Sequence, residues 1–471
     1  MKRVKKLLLC IIFLLVSSCA VNPVTGKNEL MLVSESQEIQ IGKETAPSMR
    51  WGFGGEYRDT ELEAYLGGIA AELWKNSERP NLPMKFYIQN TSIPNAFALP
   101  GYVAITRGLL SDMDNEAQFA AVIGHEIGHV MARHTAQRLS RMSLQQIGLS
   151  IGAAALEGKT GSDALLSVGA IGSSLLLLKY DREQEIQADR LGVRYMSWLG
   201  YNPHEAMSAH EALERSVNGY MQRAGVNEKE SSPLADMLST HPRKEVRLVE
   251  IQDMINALPP YTIKGDGEFS KRFLDATKRM REINRIYFIY DDAERLYKKE
   301  DFSGAEAKIK EAIKKNDSQA PFHNLLGLIM IRQKSYWKAE NSFRQALALN
   351  PDYQPSVFGL GLINYYQENY SAAIDKFNTS MKLYPGHLPT HFGLGKSYYQ
   401  LKQYSSAIPH LGEFANAVPK DPEVHGMLGI SYESTGQIDL AIREYGFQIQ
   451  AAPDTQLGYH AKKRLSVLRK K

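Results

Sequence analysis

A period of 34 residues governs the C-terminal part of the chain: Gly327, Gly361, Gly395 and Gly429 mark it, each preceded by a leucine (Leu326, Leu360, Leu394, Leu428). Ala339, Ala373, Ala407 and Ala441 keep the same phase, as do Pro351, Pro385, Pro419 and Pro453. Small residues at fixed offsets and a proline in each connection read as one helical hairpin per period. A lone hairpin cannot bury its apolar face, so such units must stack into an α-solenoid with a concave groove. Ala293 and Ala305 carry the register one unit back, giving five repeats over 284–455 and a capping helix at 456–471. Tyr365, Tyr366, Tyr398 and Tyr399 are candidates to line the groove, although most aromatic positions in such units are core between helices.

The N-terminal part is organised around a different feature, the apolar run from Ala120 to Val130, which contains His125-Glu126-Ile127-Gly128-His129. Residues four apart share a helical face, so His125 and His129 can direct their imidazoles at one metal ion. Glu126, one step round, is placed to act as a general base on a water rather than as a ligand. Two neutral nitrogen ligands, an open coordination position and a base are what a metal-dependent peptidase needs. Polar groups on an apolar helix are costly unless they find partners, which favours this reading over a chance match. His134 lies about 140° round from His129 at 3.6 residues per turn and is expected at the surface.

The only cysteines are Cys10 and Cys19, so a metal site further along must be built from His, Glu and Asp. Lys2, Arg3, Lys5 and Lys6 precede an apolar core from Leu7 to Val16, too short to span a bilayer; residues 1–18 read as a secretion signal. Val16-Ser17-Ser18-Cys19 resembles the bacterial lipobox, which makes Cys19 the expected lipid-modified N-terminus, with a plain signal peptide as the alternative. Ala20 in the next position favours the outer membrane in that convention. The 56 basic and 52 acidic residues differ only by those four N-terminal cations, so nothing argues for a nucleic-acid partner.

Residues 22–44 are expected to form a tether leading into a helix near 34–43, followed by an amphipathic helix over 60–75. Residues 84–89, 96–99 and 102–106 read as strands, the last two as a hairpin beside the metal helix, where a strand can hold an extended substrate. Ser111, Asp112 and Asp114 offer N-caps for one helix running from 115 to about 142. The Gly-, Ala- and Leu-rich segment 151–178 reads as two buried or groove-covering helices, with a membrane-contacting lid as the alternative. On the next helix, 182–199, Glu185 and Asp189 share a face and repel unless something positive lies beside them. A metal for Glu185 and a ligand imidazole N–H for Asp189 would satisfy both; a solvated face is the bland alternative. Pro242 starts a further helix, with His241 at its mouth and Arg247 inside it.

Together these features resemble the HtpX/BepA-type zinc metallopeptidases, a family that includes the CAAX prenyl proteases. The resemblance rests on the lipobox followed by Asn22-Pro23-Val24-Thr25-Gly26, the Asn95–Gly101 strand, H-E-x-x-H, Glu185-x-x-Ala188-Asp189 and Ser239-Thr240-His241-Pro242. It covers the whole chain, since such proteins also carry C-terminal tetratricopeptide repeats. It implies a mainly α protein: a gluzincin-type α+β metallopeptidase domain with a small sheet at 19–258, a linker helix at 259–283, then the solenoid. It further implies one Zn2+ per chain held by His125, His129 and Glu185, with Glu126 as base and Asp189 as partner of a zinc histidine. His241 is then an inhibitory fourth ligand or, with Arg247, a group that stabilises the substrate carbonyl. The expected activity is endoproteolysis of misfolded or misassembled envelope proteins, recruited by the repeats or through the outer-membrane assembly machinery. A chaperone with a latent metal site is the alternative.

Overall fold

The computed structural model describes residues 19–52, 54–144, 180–225 and 244–469. The segment 151–178 and His241 lie outside them. The chain divides into two compact units, one ending at Phe288 and one starting at Ile289. The protein is mainly α, with small sheets in the first unit and helical-hairpin repeats in the second.

In the first unit, the expected tether is instead an ordered hairpin of β1 (Cys19–Val21) and β2 (Asn28–Leu30). Asn22 is fully buried there, its side-chain amide donating to Ala132 O at 3.3 Å, so the hairpin is seated on the end of the metal-motif helix. Sequence spacing could not show this, because the partner lies 110 residues away. Next come α1 (Glu35–Gly52), longer than expected, and α2 (Thr60–Lys75), whose Asp59 side chain accepts from Leu62 N. Strands β3 (Phe86–Gln89), β4 (Ala96–Leu99) and β5 (Tyr102–Thr106) form a sheet in the order β3-β5-β4. The β4–β5 pair is the expected antiparallel hairpin, and β3 runs parallel to β5. β4 is therefore an edge strand.

After the short α3 (Arg107–Ser111), the motif helix α4 spans Glu116–Met131, with Asn115 capping Gln118 N. It does not continue to 142. Arg133 takes φ 59° and turns the chain into a second helix, α5, over 134–144. A left-handed non-glycine residue costs about 1–2 kcal/mol; here the Arg133 guanidinium donates to buried Glu38 at 2.9 Å and to Val33 O at 2.8 Å, which offsets that cost. The unit continues with α6 (Arg182–Trp198), α7 (Glu205–Ala224) and α8 (Lys244–Asn256).

The segment expected as a linker contributes to this same core. Phe273, Met280, Ile283 and Tyr287 of the helix Ser270–Lys298 are buried. Glu268 O accepts from the first amides of α4, Glu116 N and Ala117 N, and Arg272 pairs with the buried Glu116 carboxylate. Arg107, fully buried, is held by Asn90, Ser92 and Asn284 beneath the ring of Tyr287.

In the second unit, each period is a helical hairpin, and the glycine column is where the two helices meet. A Cβ at Gly327, Gly361, Gly395 or Gly429 would fall 2.5–2.6 Å from a side-chain carbon of Phe343, Phe377, Leu411 or Tyr445 respectively. The alanine column is fully buried. Between the helices of each hairpin, Glu300, Lys334, Glu368, Lys402 and Gly436 all take positive φ, so the turn keeps its shape although only the last is glycine. Tyr365, Tyr398 and Tyr399 pack against the interhelix core, while Tyr366 is half exposed. The last helix, Gln456–Leu468, buries Ala461 and Leu465 against the final hairpin.

Candidate metal centre

The site exists because α4 and α6 touch backbone to backbone. A Cβ at Gly192 would lie 2.8 Å from His125 N, one at Gly124 would lie 3.1 Å from Gly192 Cα, and one at Gly128 would lie 3.1 Å from Ala188 O. Three glycines and buried Ala188 thus bring Glu185 and Asp189 of α6 against His125 and His129 of α4.

His125 Nε2 and His129 Nε2 are 3.1 Å apart, and each is 3.6 Å from a Glu185 carboxylate oxygen. Among the described residues these three form the one cluster of His, Cys, Asp or Glu side chains able to hold a metal ion. Tetrahedral zinc with bonds of about 2.0–2.1 Å separates its ligand atoms by roughly 3.3 Å, so the spacing fits. The protons fit as well. His125 Nδ1 donates to Asp189 Oδ1 at 2.8 Å. His134 donates from Nε2 to Gln187 Oε1, and burial lowers its pKa to about 4, so its Nδ1 accepts from His129 Nδ1, both at 2.8 Å. Both histidines therefore turn lone pairs, not protons, toward each other and toward a carboxylate. Three such groups repel one another, and a cation at their centre reverses the sign.

His134 was expected at the surface and is fully buried. The angular argument assumed an unbroken helix; the turn at Arg133 swings His134 back under His129. Tyr180 stacks on His129 at 3.8 Å. Neither contact had a signature in residue spacing.

Arg247 completes the polar cluster. Its Nε and Nη2 donate to Asp189 at 2.8 and 2.6 Å, and its Nη1 lies 3.1 Å from Glu185. The positive neighbour that Glu185 and Asp189 require thus includes a guanidinium from α8. Burial alone would raise Asp189; hydrogen bonds from His125 and His210 and the charge of Arg247 outweigh it and hold the carboxyl well below its usual range. His210, on α7, stands with Nε2 3.7 Å from Asp189 Oδ1. Sequence reading passed over it, although it sits on the inward face of an amphipathic helix with Ala206, Ala209 and Leu213.

Glu126 is buried beside His125 and lines a cavity shared with α7, β4 and Arg247. Asn95 and Ala96, where edge strand β4 begins, form part of the wall. Cys19 begins strand β1.

Comparison with known proteins agrees with this architecture. Residues 60–255 match the model for Peptidase family M48, and residues 290–352, 338–387 and 365–430 match tetratricopeptide repeat models. The Beta-barrel assembly-enhancing protease of Escherichia coli (strain K12) is 27% identical over 270 residues, covering 52% of this chain and 50% of that protein. Mitochondrial metalloendopeptidase OMA1 of Saccharomyces cerevisiae is 29% identical over 259 residues, covering 50% of this chain and 68% of that protein. That of Arabidopsis thaliana is 27% identical over 217 residues, covering 46% and 41%. The chain spans about half the length of the Escherichia coli relative it matches. A region that matches Peptidase family M48 is thus followed by tetratricopeptide repeats, a combination that fits a BepA-like M48 metalloprotease.

Proposed function

We propose that the protein is a zinc-dependent endopeptidase of the bacterial cell envelope. The observation that carries this is the convergence of His125 Nε2, His129 Nε2 and a Glu185 carboxylate, all as acceptors, beside the Glu126 carboxylate in a cavity. Two imidazoles and one carboxylate suit zinc, and such a three-ligand set leaves a position open. Zinc held there supplies Lewis acidity that polarises a substrate carbonyl and activates a water. Glu126 takes that water's proton and passes it to the leaving amine. Asp189 fixes the tautomer and orientation of His125, His134 does the same for His129, and Arg247 helps keep Asp189 ionised while pairing with Glu185. Arg247 is in this reading a positioning residue, committed to carboxylates, and the carbonyl-polarising role falls to the metal and His241. Edge strand β4 offers main-chain groups to an extended substrate running past Glu126.

The substrates are unfolded or misassembled envelope proteins. The repeats recruit them, or dock on an outer-membrane assembly complex, a partner suggested by the name of the Escherichia coli relative. Lipid modification of Cys19 holds the protein on the periplasmic face of the outer membrane. The rival reading is a chaperone whose clients bind the repeats while the metal site stays latent.

The test uses purified protein beginning at residue 20, with zinc measured directly and an unfolded protein as substrate. About one zinc per chain is expected, with cleavage falling roughly 10²–10⁴-fold in Glu126→Gln while zinc is retained. Increased cleavage by His241→Ala identifies that histidine as inhibitory. Cleavage that survives chelation removes the metallopeptidase reading; zinc without cleavage, together with normal envelope integrity in cells carrying Glu126→Gln, favours the chaperone.

A further inference from the structure

The two histidines of the motif helix have their protons fixed in different ways. His125 Nδ1 meets Asp189 Oδ1 at 2.8 Å. An ionised carboxylate only accepts, so that contact runs in one direction and leaves His125 Nε2 without a proton. His129 Nδ1 instead meets another imidazole nitrogen, His134 Nδ1, at 2.8 Å. A neutral imidazole has one N–H and one lone pair, so a hydrogen bond between two of them can run either way. In one direction His129 donates, and its Nε2 carries the lone pair a metal ion needs. In the other, His134 donates and the His129 proton sits on Nε2, facing the Glu185 carboxylate 3.6 Å away, where it closes that nitrogen to coordination. His134 can therefore orient His129 only if its own proton is held in place.

That hold comes from the far side of His134. Its Nε2 lies 2.8 Å from Gln187 Oε1. An amide oxygen only accepts, so His134 carries its proton on Nε2 and offers a lone pair from Nδ1. The orientation of the amide has a cause as well. Gln187, half-buried on α6, lines a polar cleft with the carboxylates of Glu29, Asp181 and Glu183. Arg141, the one cation in that lining, is paired with Asp181 at 2.7 Å. Side-chain dipoles orient in the local field, and acidic surroundings favour the NH2 end of the amide on the cleft side and its C=O toward His134.

We propose that Gln187 is a positioning residue of the metal centre: through His134 its amide oxygen sets the direction of the imidazole pair, so that His129 presents Nε2 as a lone pair. The inference rests on the zinc reading of the centre and not on cleavage. Gln187 acts across two successive hydrogen bonds. Removing a partner that orients a metal-bound histidine typically weakens metal binding by about 10–100-fold, which is measurable.

The test measures the Zn2+ affinity of the purified protein by competition with a chromophoric chelator, in wild type and in variants at Gln187. Gln187→Leu removes the acceptor and should weaken zinc binding by about 10–100-fold. Gln187→Glu restores an acceptor-only group and should bind zinc at least as tightly as wild type. Gln187→Lys offers only donors, favours the reverse direction and should bind zinc most weakly. A second readout needs neither metal nor turnover. With the histidine ring nitrogens isotopically labelled, NMR of the metal-free protein should show His134 protonated on Nε2 and His129 on Nδ1, and Gln187→Lys should exchange both tautomers. Wild-type zinc affinity in Gln187→Leu, an equal loss in the Leu and Glu variants, or tautomers indifferent to the residue at 187 overturns the proposal. Exchange of the tautomers in a protein that binds no zinc leaves the relay standing and removes the zinc reading instead.

Discussion

Both units use glycine to let two helices approach closely, and the obstacle each glycine avoids is different. In the repeats, Gly361 makes room for the ring of Phe377, and the same arrangement recurs at Gly327, Gly395 and Gly429. In the first unit, Gly192 makes room for backbone, His125 N at 2.8 Å, and the contact occurs once. A side chain can yield by changing rotamer or being replaced by a smaller one, whereas a helix backbone can move only as a whole. Packing in the repeats is therefore redundant and repairable. Packing between α4 and α6 is singular, and the convergence of His125, His129 and Glu185 depends on it.

The sharpest way to break this contrast is at the polar end of the α4–α6 contact. Arg247→Met should destabilise the first unit by about 3–5 kcal/mol, because it strands Glu185 and Asp189 as buried charges. Urea denaturation of the metal-free protein should show the loss in the first unit's transition and leave that of the repeats in place; an unchanged first transition would show that the carboxylates have other adequate partners.

A smaller effect compares the glycines directly. Gly192→Ala and Gly361→Ala should each cost about 1–3 kcal/mol as overpacking. Only Gly192→Ala should also weaken zinc binding, and only Gly361→Ala should be repaired by trimming its neighbour, as in the double variant with Phe377→Leu. Rescue of zinc affinity in Gly192→Ala by any side-chain trimming would sink the distinction.

The smallest effect is in pH. Burial, with the nearby charge of His391 added, lowers the pKa of His387 to about 4, and its Nδ1 lies 3.0 Å from the donating Gln354 side-chain amide and 2.7 Å from Thr390 Oγ1. The folded pKa lies below the unfolded one of about 6.5, so the unfolded state binds the proton first. The stability of the repeats is then complete above pH ~6.5 and declines as pH falls toward 4. His387→Gln should flatten that decline relative to wild type in urea titrations at a series of pH values; parallel curves would place the acid sensitivity elsewhere.

Much of this molecule could be read before its fold was seen. The helical hairpins follow from a period that repeats four times, and the histidine pair follows from the geometry of a single helix. Strands β4 and β5 were visible because alternation and the Pro100-Gly101 turn are local. Other features escaped for one common reason. His134 turns inward because Arg133 adopts a left-handed conformation held by Glu38 and Val33, about 100 residues away in the chain. The expected tether at 22–44 is a hairpin because Asn22 finds Ala132. The segment 259–283 looked like a connection, and its Phe273 and Met280 are core of the first unit.

The chain's own order of residues determined the solenoid, the motif helix and the identity of two imidazoles on one face, because each depends on spacings within a helix or within one period. Tertiary structure alone decided that Glu185 meets those imidazoles, that Asp189 and His134 hydrogen-bond them while Arg247 pairs with both α6 carboxylates, and that α7 helps to close a cavity beside Glu126. These contacts join residues on separate helices, most of them 50 or more positions apart. Their geometry is set by how closely α4 and α6 can pack, which is a property of the folded core.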